Sequence, residues 1–248
     1  MTHDEFAALH TSAEPLVLFN IWDAGSARAV AEAGAKALAT GSLSLAGAQG
    51  FDDGEAIPFA SLLATVRQIA AATELPLTVD METGYADDLA ALTNNASALL
   101  DAGAVGCNIE DRLLSGSELR ATDEQCARIQ AVSSAGLFVN ARTDVFLGPL
   151  MAGQDPNTAE LVEDACTRGT AYQQAGADCF FVPGLSDPDL IAQLCGRVDL
   201  PVNVMRLDGM PSNAELGALG VSRISHGPGP WRNAMSQLTK AAKAALMS

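Results

Sequence analysis

Strand candidates recur along the chain at 16–22, 37–41, 76–82, 106–110, 137–143, 179–183, 201–205 and 222–226, separated by stretches with helical spacing. Leu62, Val66 and Ile69 share one helical face after Pro58, as do Val162, Ala165 and Tyr172 further on. One phrase marks the joints: AEAGAKALAT (31–40), LDAGAVGCNIE (100–110), QQAGADCFFVPG (173–184) and GALGVSRISHG (217–227). Each reads as a helix end, a glycine suited to the left-handed C-cap, and a short apolar strand. Eight β-then-α units in 248 residues, without a Ser/Pro-rich linker, predict an α/β fold, a TIM-type (β/α)8 barrel forming one domain over 1–248. A doubly wound open sheet is the rival, but no GxGxxG follows the first strand.

Polar residues keep to one side of three successive strands. Strand alternation puts Thr78, Asp80 and Glu82 opposite Leu77, Val79 and Met81. It likewise groups Asn108 with Glu110, and Asn140 with Arg142 and Asp144. The polar set crowds the C-terminal strand ends, where barrel enzymes build their sites. Like charges such as Asp80 and Glu82 repel, so a cation is expected between them, unless they are solvated loop charges or helix caps. Asp53, in the long loop after strand 2, joins Asp80, Glu82 and Glu110 in an oxygen-rich set suited to Mg2+ or Mn2+ rather than zinc. Arg142 reads as an anion clamp, or else as an ion-pair partner of Glu110 or Asp144. Ser42 and Ser44 in TGSLS offer a weaker carboxylate-binding signal.

Composition narrows the partners. A net charge of −16 argues against a nucleic-acid or acidic-membrane surface. The five cysteines show no CxxC spacing and read as reduced and mostly buried. No signal segment opens the chain and no run of 18 apolar residues occurs, so a soluble cytoplasmic protein is expected. Lys36, Lys240 and Lys243 are the only lysines, and none lies at a strand C-terminus, which excludes a Schiff-base aldolase. Three histidines exclude a multi-histidine metal hydrolase; His226 near the end of strand 8 reads as an acid–base group or a local hydrogen-bonding residue.

FNIWDAGSARAVAEAGAKALATGS (19–42), GFDDGE (50–55), VDMETGY (79–85), NIEDR (108–112) and NARTDVFL (140–147) resemble the isocitrate lyase/phosphoenolpyruvate mutase superfamily. PVNVM (201–205) and ELGALGVSRIS (215–225) resemble its small bacterial members, so the likeness runs over nearly the whole chain. It implies a Mg2+-dependent barrel that makes or breaks C–C or P–C bonds beside an enolate of pyruvate. On matching positions it makes Asp80 the direct metal ligand, with Asp53, Glu82 and Glu110 holding metal-bound waters. Ser42 and the amides around Leu43 and Ser44 would hold the substrate carboxylate. Arg142 would stabilise developing charge or a second carboxylate. Apart from the resemblance, Glu110 is read as catalytic beside Arg142, and Asn203 and His226 as substrate contacts at the ends of strands 7 and 8, where His226 and Arg206 match no certain family role.

Two departures shape the expectation. Glu82 stands where the family usually shows a second aspartate. The loop after strand 4, EDRLLSGSELRATDEQCARI (110–129), lacks the Lys-Cys-Gly-His motif of isocitrate and methylisocitrate lyases, and Cys126 falls in the following helix pattern. A C–C lyase or decarboxylase acting on a small 2-oxo or 2-hydroxy (di)carboxylate through a metal-stabilised enolate is therefore expected. The alternatives are a phosphoenolpyruvate mutase or phosphonopyruvate hydrolase type of P–C enzyme, and a non-catalytic 2-oxo-acid-binding barrel. Family members are tetramers exchanging a C-terminal helix. The helix at 231–247 is long enough to dock, but the chain stops soon after it, which argues against exchange; a homo-oligomer, dimer or tetramer, is expected.

Overall fold

The structure, a computed structural model, describes residues 2–114, 116 and 118–247. Eight parallel strands form its sheet: β1 (Leu16–Leu18), β2 (Leu38–Ala39), β3 (Leu77–Asp80), β4 (Gly106–Glu110), β5 (Phe138–Arg142), β6 (Cys179–Phe181), β7 (Val202–Met205) and β8 (Val221–Ser225). The hydrogen-bonded order runs β1-β8-β7-β6-β5-β4-β3-β2, and a parallel bridge between Ile21 and Thr40 brings the two ends together. This is the expected (β/α)8 barrel, with several strands shorter than their apolar runs. The backbone leaves strand geometry early where the site begins.

The four glycines of the repeated phrase, Gly34, Gly103, Gly176 and Gly220, all have φ between 90° and 105°, as the cap reading requires. At Gly103 and Gly220 an added Cβ would also lie 2.7 Å from Ala70 or Cys195, so conformation and space both exclude a side chain there. Leu62, Val66 and Ile69 of the helix Phe59–Ala70 are buried against the barrel's outer face, alongside Leu77, Val79, Cys107, Ile109, Val139 and Ala141. Val162, Ala165 and Tyr172 pack likewise from the helix Ala159–Gln174. Each such side chain contributes about 1.5–3 kcal/mol of burial.

Side chains from β1, β2, β5 and β6 meet in a second apolar cluster with Phe6, at the barrel's N-terminal end. Phe6 lies on a one-turn helix, His3–Ala7, started by a Thr2–Glu5 capping box, and meets Phe138 edge-on at 5.0 Å. His10 stacks on Phe138 at 4.5 Å and shares a 3.0 Å hydrogen bond from Nδ1 to the Phe6 carbonyl. Burial, aided by the Arg223 charge, lowers the His10 pKa to about 3. A depressed pKa gives stability that is full above the unfolded value near 6.5 and lost as pH falls toward 3. Relative to His10→Phe, the native protein should therefore lose about 2–3 kcal/mol between pH 7 and pH 4.5. Denaturant titrations of both proteins at the two pH values check this; parallel pH dependences would contradict it.

Candidate active site

At the C-terminal strand ends the barrel opens on a cavity of about 400 Å³. Asn20, Ser42, Asp80, Asn108, Arg142 and Ser225 belong to its polar part, with Asp53, Arg112 and Arg232 also on the lining. The side toward β6 and β7 is apolar, built from Leu147, Leu150, Met151, Phe181, Met205 and Leu207.

Asp80 ends β3 and faces the cavity, its Oδ2 accepting from the Ser42 amide at 3.3 Å. Burial raises its pKa, Arg142 opposes that, and Asp53 adds to it. Glu82 departs from the expected alternation. It adopts φ +52°, outside the strand, and does not line the cavity. Its carboxylate accepts both ways from the Glu55 amide, at 3.0 and 2.9 Å, and from the Tyr85 hydroxyl at 3.2 Å. Glu55 returns the exchange, accepting from the Thr83 and Tyr85 amides and the Thr83 hydroxyl. Glu55, Glu82 and Tyr85 are the non-glycine residues with positive φ among the described residues, and such strain concentrates at functional sites. Burial, then Asp80, pushes Glu82 up to about 7.

Arg142 ends β5 between two carboxylates. Its Nε and Nη2 donate to Asp144 at 2.6 and 2.9 Å, and Nη1 lies 2.7 Å from Glu110. The geometry shows the ion pairs; a guanidinium has five N–H donors, so each terminal nitrogen keeps one N–H beyond these contacts. Burial pulls the Arg142 pKa down, but Asp144 and Glu110 more than offset it. Asp144 is itself fixed, since its amide donates to Asp111 at 3.0 Å. Tyr172 and Arg168 hold Asp111 in turn. Glu110 is buried beside Arg142 and off the cavity lining, with burial raising its pKa against Arg142's pull.

Ser42, Leu43 and Ser44 line the cavity, but from the first turn of a helix, Ser42–Ala48, rather than from a loop. The Ser44 hydroxyl donates back to the Gly41 carbonyl at 2.9 Å, which leaves the Ser42 hydroxyl and backbone amides as the donors this turn presents. Asn203 is fully buried and bonded to Ser225, off the lining. His226 does not line the cavity: its ring packs against Phe19 at 5.1 Å with the planes tilted by 54°, just before the turn at Gly227. Arg206 is committed to the Met210 and Pro211 carbonyls and to Asn213.

Sequence reasoning missed Asn20, which ties the end of β1 to β2 through the Thr40 carbonyl and to the end of β8 through the His226 and Gly227 amides. It also missed Arg112 and Arg232, cavity-lining guanidiniums without a carboxylate partner among the described residues. The loop after β4 folds back through an Arg112–Leu119 bridge; Ser115 and Ser117 of its expected span lie outside the described residues. None of the five cysteines lines the cavity, and burial raises the pKa of each, to about 12 at Cys179 and Cys195. Thiolate reactivity is thus suppressed. Iodoacetamide at pH 8 should leave ligand binding unchanged; rapid, ligand-protected inactivation traced to Cys126 would contradict this.

The donor set suits a hard cation that keeps its water. Among the described residues no three Asp, Glu, His or Cys side chains converge as a cage. Asp80 instead offers a half-buried carboxylate on the cavity, with exposed Asp53 on the same lining and further acids behind that a cation would neutralise. Magnesium, bound through one or two carboxylates and several waters, fits that arrangement.

An acid-rich, arginine-bearing pocket at the C-terminal face of a (β/α)8 barrel is the class that fold and site define. A family model for phosphoenolpyruvate phosphomutase matches residues 6–246, and the chain belongs to that family, within the phosphoenolpyruvate mutase/isocitrate lyase superfamily of lyases, mutases and hydrolases. It is 46% identical to a candidate phosphonomutase of Burkholderia cenocepacia, whose structure superposes with a TM-score of 0.92 over 98% of this chain and 99% of that one. An uncharacterised protein of Mycobacterium tuberculosis is 33% identical over 241 residues, 96% of this chain and 88% of its own length. The 2-methylisocitrate lyase of Escherichia coli is 26% identical over 205 residues, 79% of this chain and 67% of that enzyme.

Proposed function

We propose that this protein is a Mg2+-dependent lyase or decarboxylase that breaks a carbon–carbon bond in a small 2-oxo or 2-hydroxy (di)carboxylate, through an enolate. The observation that carries this reading is the division of the cavity between acids and amides on one side and an apolar wall on the other. A departing phosphoryl group calls for charge-assisted donors; the apolar side chains of that wall offer none, and the guanidinium at its edge, Arg112, is read here as the partner of a distal carboxylate. An uncharged carbonyl fragment or CO2 leaves into it without an unpaired charge.

Asp80 would hold Mg2+ (or Mn2+), with Asp53 on the same lining and Glu82 and Glu110 acting from behind it through water; the bound ion would supply Lewis-acid stabilisation of charge at the keto oxygen. The Leu43 and Ser44 amides hold the substrate carboxylate at a helix start that lacks intrahelical acceptors. Arg142, fixed by Glu110 and Asp144, meets the developing charge without reorganising. Asn20 and Asn108 orient the ligand from the floor. A distal carboxylate belongs to Arg112, which contacts Met151 at the edge of the apolar wall.

P–C bond chemistry is the second reading, favoured by the likeness to a candidate phosphonomutase. Incubating the protein and Mg2+ with a panel of 2-hydroxy and 2-oxo dicarboxylates and with phosphonopyruvate, followed by proton and phosphorus NMR, separates the two. A new 2-oxo acid from a dicarboxylate supports the first; turnover of phosphonopyruvate alone overturns it. The same reading takes the protein as a cytoplasmic homo-oligomer. No helix among the described residues is long and apolar enough to cross a membrane. The C-terminal helix, Gly229–Leu246, leaves Leu238 and Leu246 exposed, a face suited to a second copy.

A further inference from the structure

Arg223, in the middle of β8, is fully buried. Its guanidinium crosses the barrel: Nη2 donates at 3.3 Å to Asn108 on β4, four places away in the eight-strand order. The same Asn108 oxygen accepts from Asn140 at 2.7 Å. Among the described residues Arg223 has no ion-pair partner, and its Nε and Nη1 find no acceptor. Burial lowers its pKa to about 10, which still leaves it protonated at neutral pH. Below it lies His10, whose pKa its charge depresses; above it lie Asn108 and Ser225, both on the cavity lining.

An unpaired buried charge is costly, and an apolar side chain of similar volume would hold the barrel together at less expense. The packing alone gives no reason for a cation on the axis. The cavity above does. Asp53 and Asp80 line it and Glu55, Glu82, Glu110 and Asp144 lie behind that lining, six acids against the three arginines Arg112, Arg142 and Arg232, of which Arg142 is shared between Glu110 and Asp144. Such a site favours a divalent cation and repels the anion that must join it.

We propose that Arg223 is a positioning residue whose axial charge sets the balance between cation and anion in the pocket, weakening divalent-metal binding and strengthening binding of the dicarboxylate ligand. This rests on the reading of the pocket as a Mg2+-dependent 2-oxo-acid site. It makes a prediction of opposite signs that loss of structure cannot imitate, since a damaged site weakens both partners.

The test is calorimetric titration of the full chain with Mg2+ alone, then with oxalate at saturating Mg2+, for the native protein, Arg223→Met and Arg223→Lys. Arg223→Met should bind Mg2+ about tenfold more tightly and oxalate about tenfold more weakly, on the scale of one screened charge near the site. Arg223→Lys, which keeps the charge, should hold both affinities within about threefold of native. If the Met protein does not fold by circular dichroism, Arg223→Gln, which keeps a donor toward Asn108 and drops the charge, is read the same way. Both affinities falling together, neither changing, or the Lys protein behaving like the Met protein would overturn the proposal. A native protein that binds no oxalate with Mg2+ would instead overturn the reading of the pocket.

Discussion

Asp80→Ala is expected to abolish Mg2+-supported oxalate binding, by more than about a hundredfold. Loss of groups that only orient metal ligands costs 10- to 100-fold, and a direct ligand costs more. Asp80 is the half-buried carboxylate that opens on the cavity and also accepts from the Ser42 amide. Asp80→Asn separates the two roles, because it keeps shape and an acceptor while dropping the charge. It should fail to bind metal nearly as completely. Its apo form should be at least as stable as the native protein at neutral pH, because burial and Asp53 oppose the charge that the substitution removes. Glu82→Gln should do less harm, since Glu82 faces the Glu55 amide rather than the cavity. Calorimetry for binding and denaturant titration for stability check the series. An Asp80→Asn protein with native Mg2+ affinity would remove Asp80 from the metal site.

Arg142→Lys should lower turnover about 30- to 1,000-fold, equal to ~2–4 kcal/mol of transition-state stabilisation. The planar fork reaches Asp144 by two bonds, Glu110 by a third, and the cavity with what remains. An ammonium cannot reproduce that geometry. Arg142→Ala should be worse and less stable by about 3–5 kcal/mol, because two buried carboxylates lose their partner. Steady-state kinetics on the substrate found by NMR, with circular dichroism to confirm folding, measure both. A Lys protein with native kcat/KM would leave Arg142 as an ion-pair residue alone. Arg112, rather than the tethered Arg206, would then carry the substrate's anion.

The barrel was legible because its joints repeat. Helix end, left-handed glycine and short strand recur closely enough that Gly34, Gly103, Gly176 and Gly220 could be placed before any geometry was known. Strand alternation also placed Asp80, Asn108 and Arg142 on the inner side, and all three line the cavity. Alternation failed at Glu82 because it holds only within a strand, and a φ of +52° ends β3 at Asp80. The Glu55–Glu82 exchange links positions 27 apart through backbone amides, which leave no mark on the residue types. His226 lies beyond the end of β8, just before the turn at Gly227, and does not line the cavity either. Arg223 did leave a signal, a charged residue at the centre of a strand otherwise free of charge. Its reach across the axis to Asn108 needed the closed barrel to become visible.

The most direct test of the central claim is calorimetric titration with oxalate, a planar dianion that resembles the enolate of pyruvate in charge and in its paired oxygens. With Mg2+ present the protein should bind it. Excess EDTA should abolish the heat, and Mg2+ or Mn2+ added beyond the chelator should restore it. Undiminished oxalate binding in excess EDTA would contradict a metal-dependent site built on Asp80.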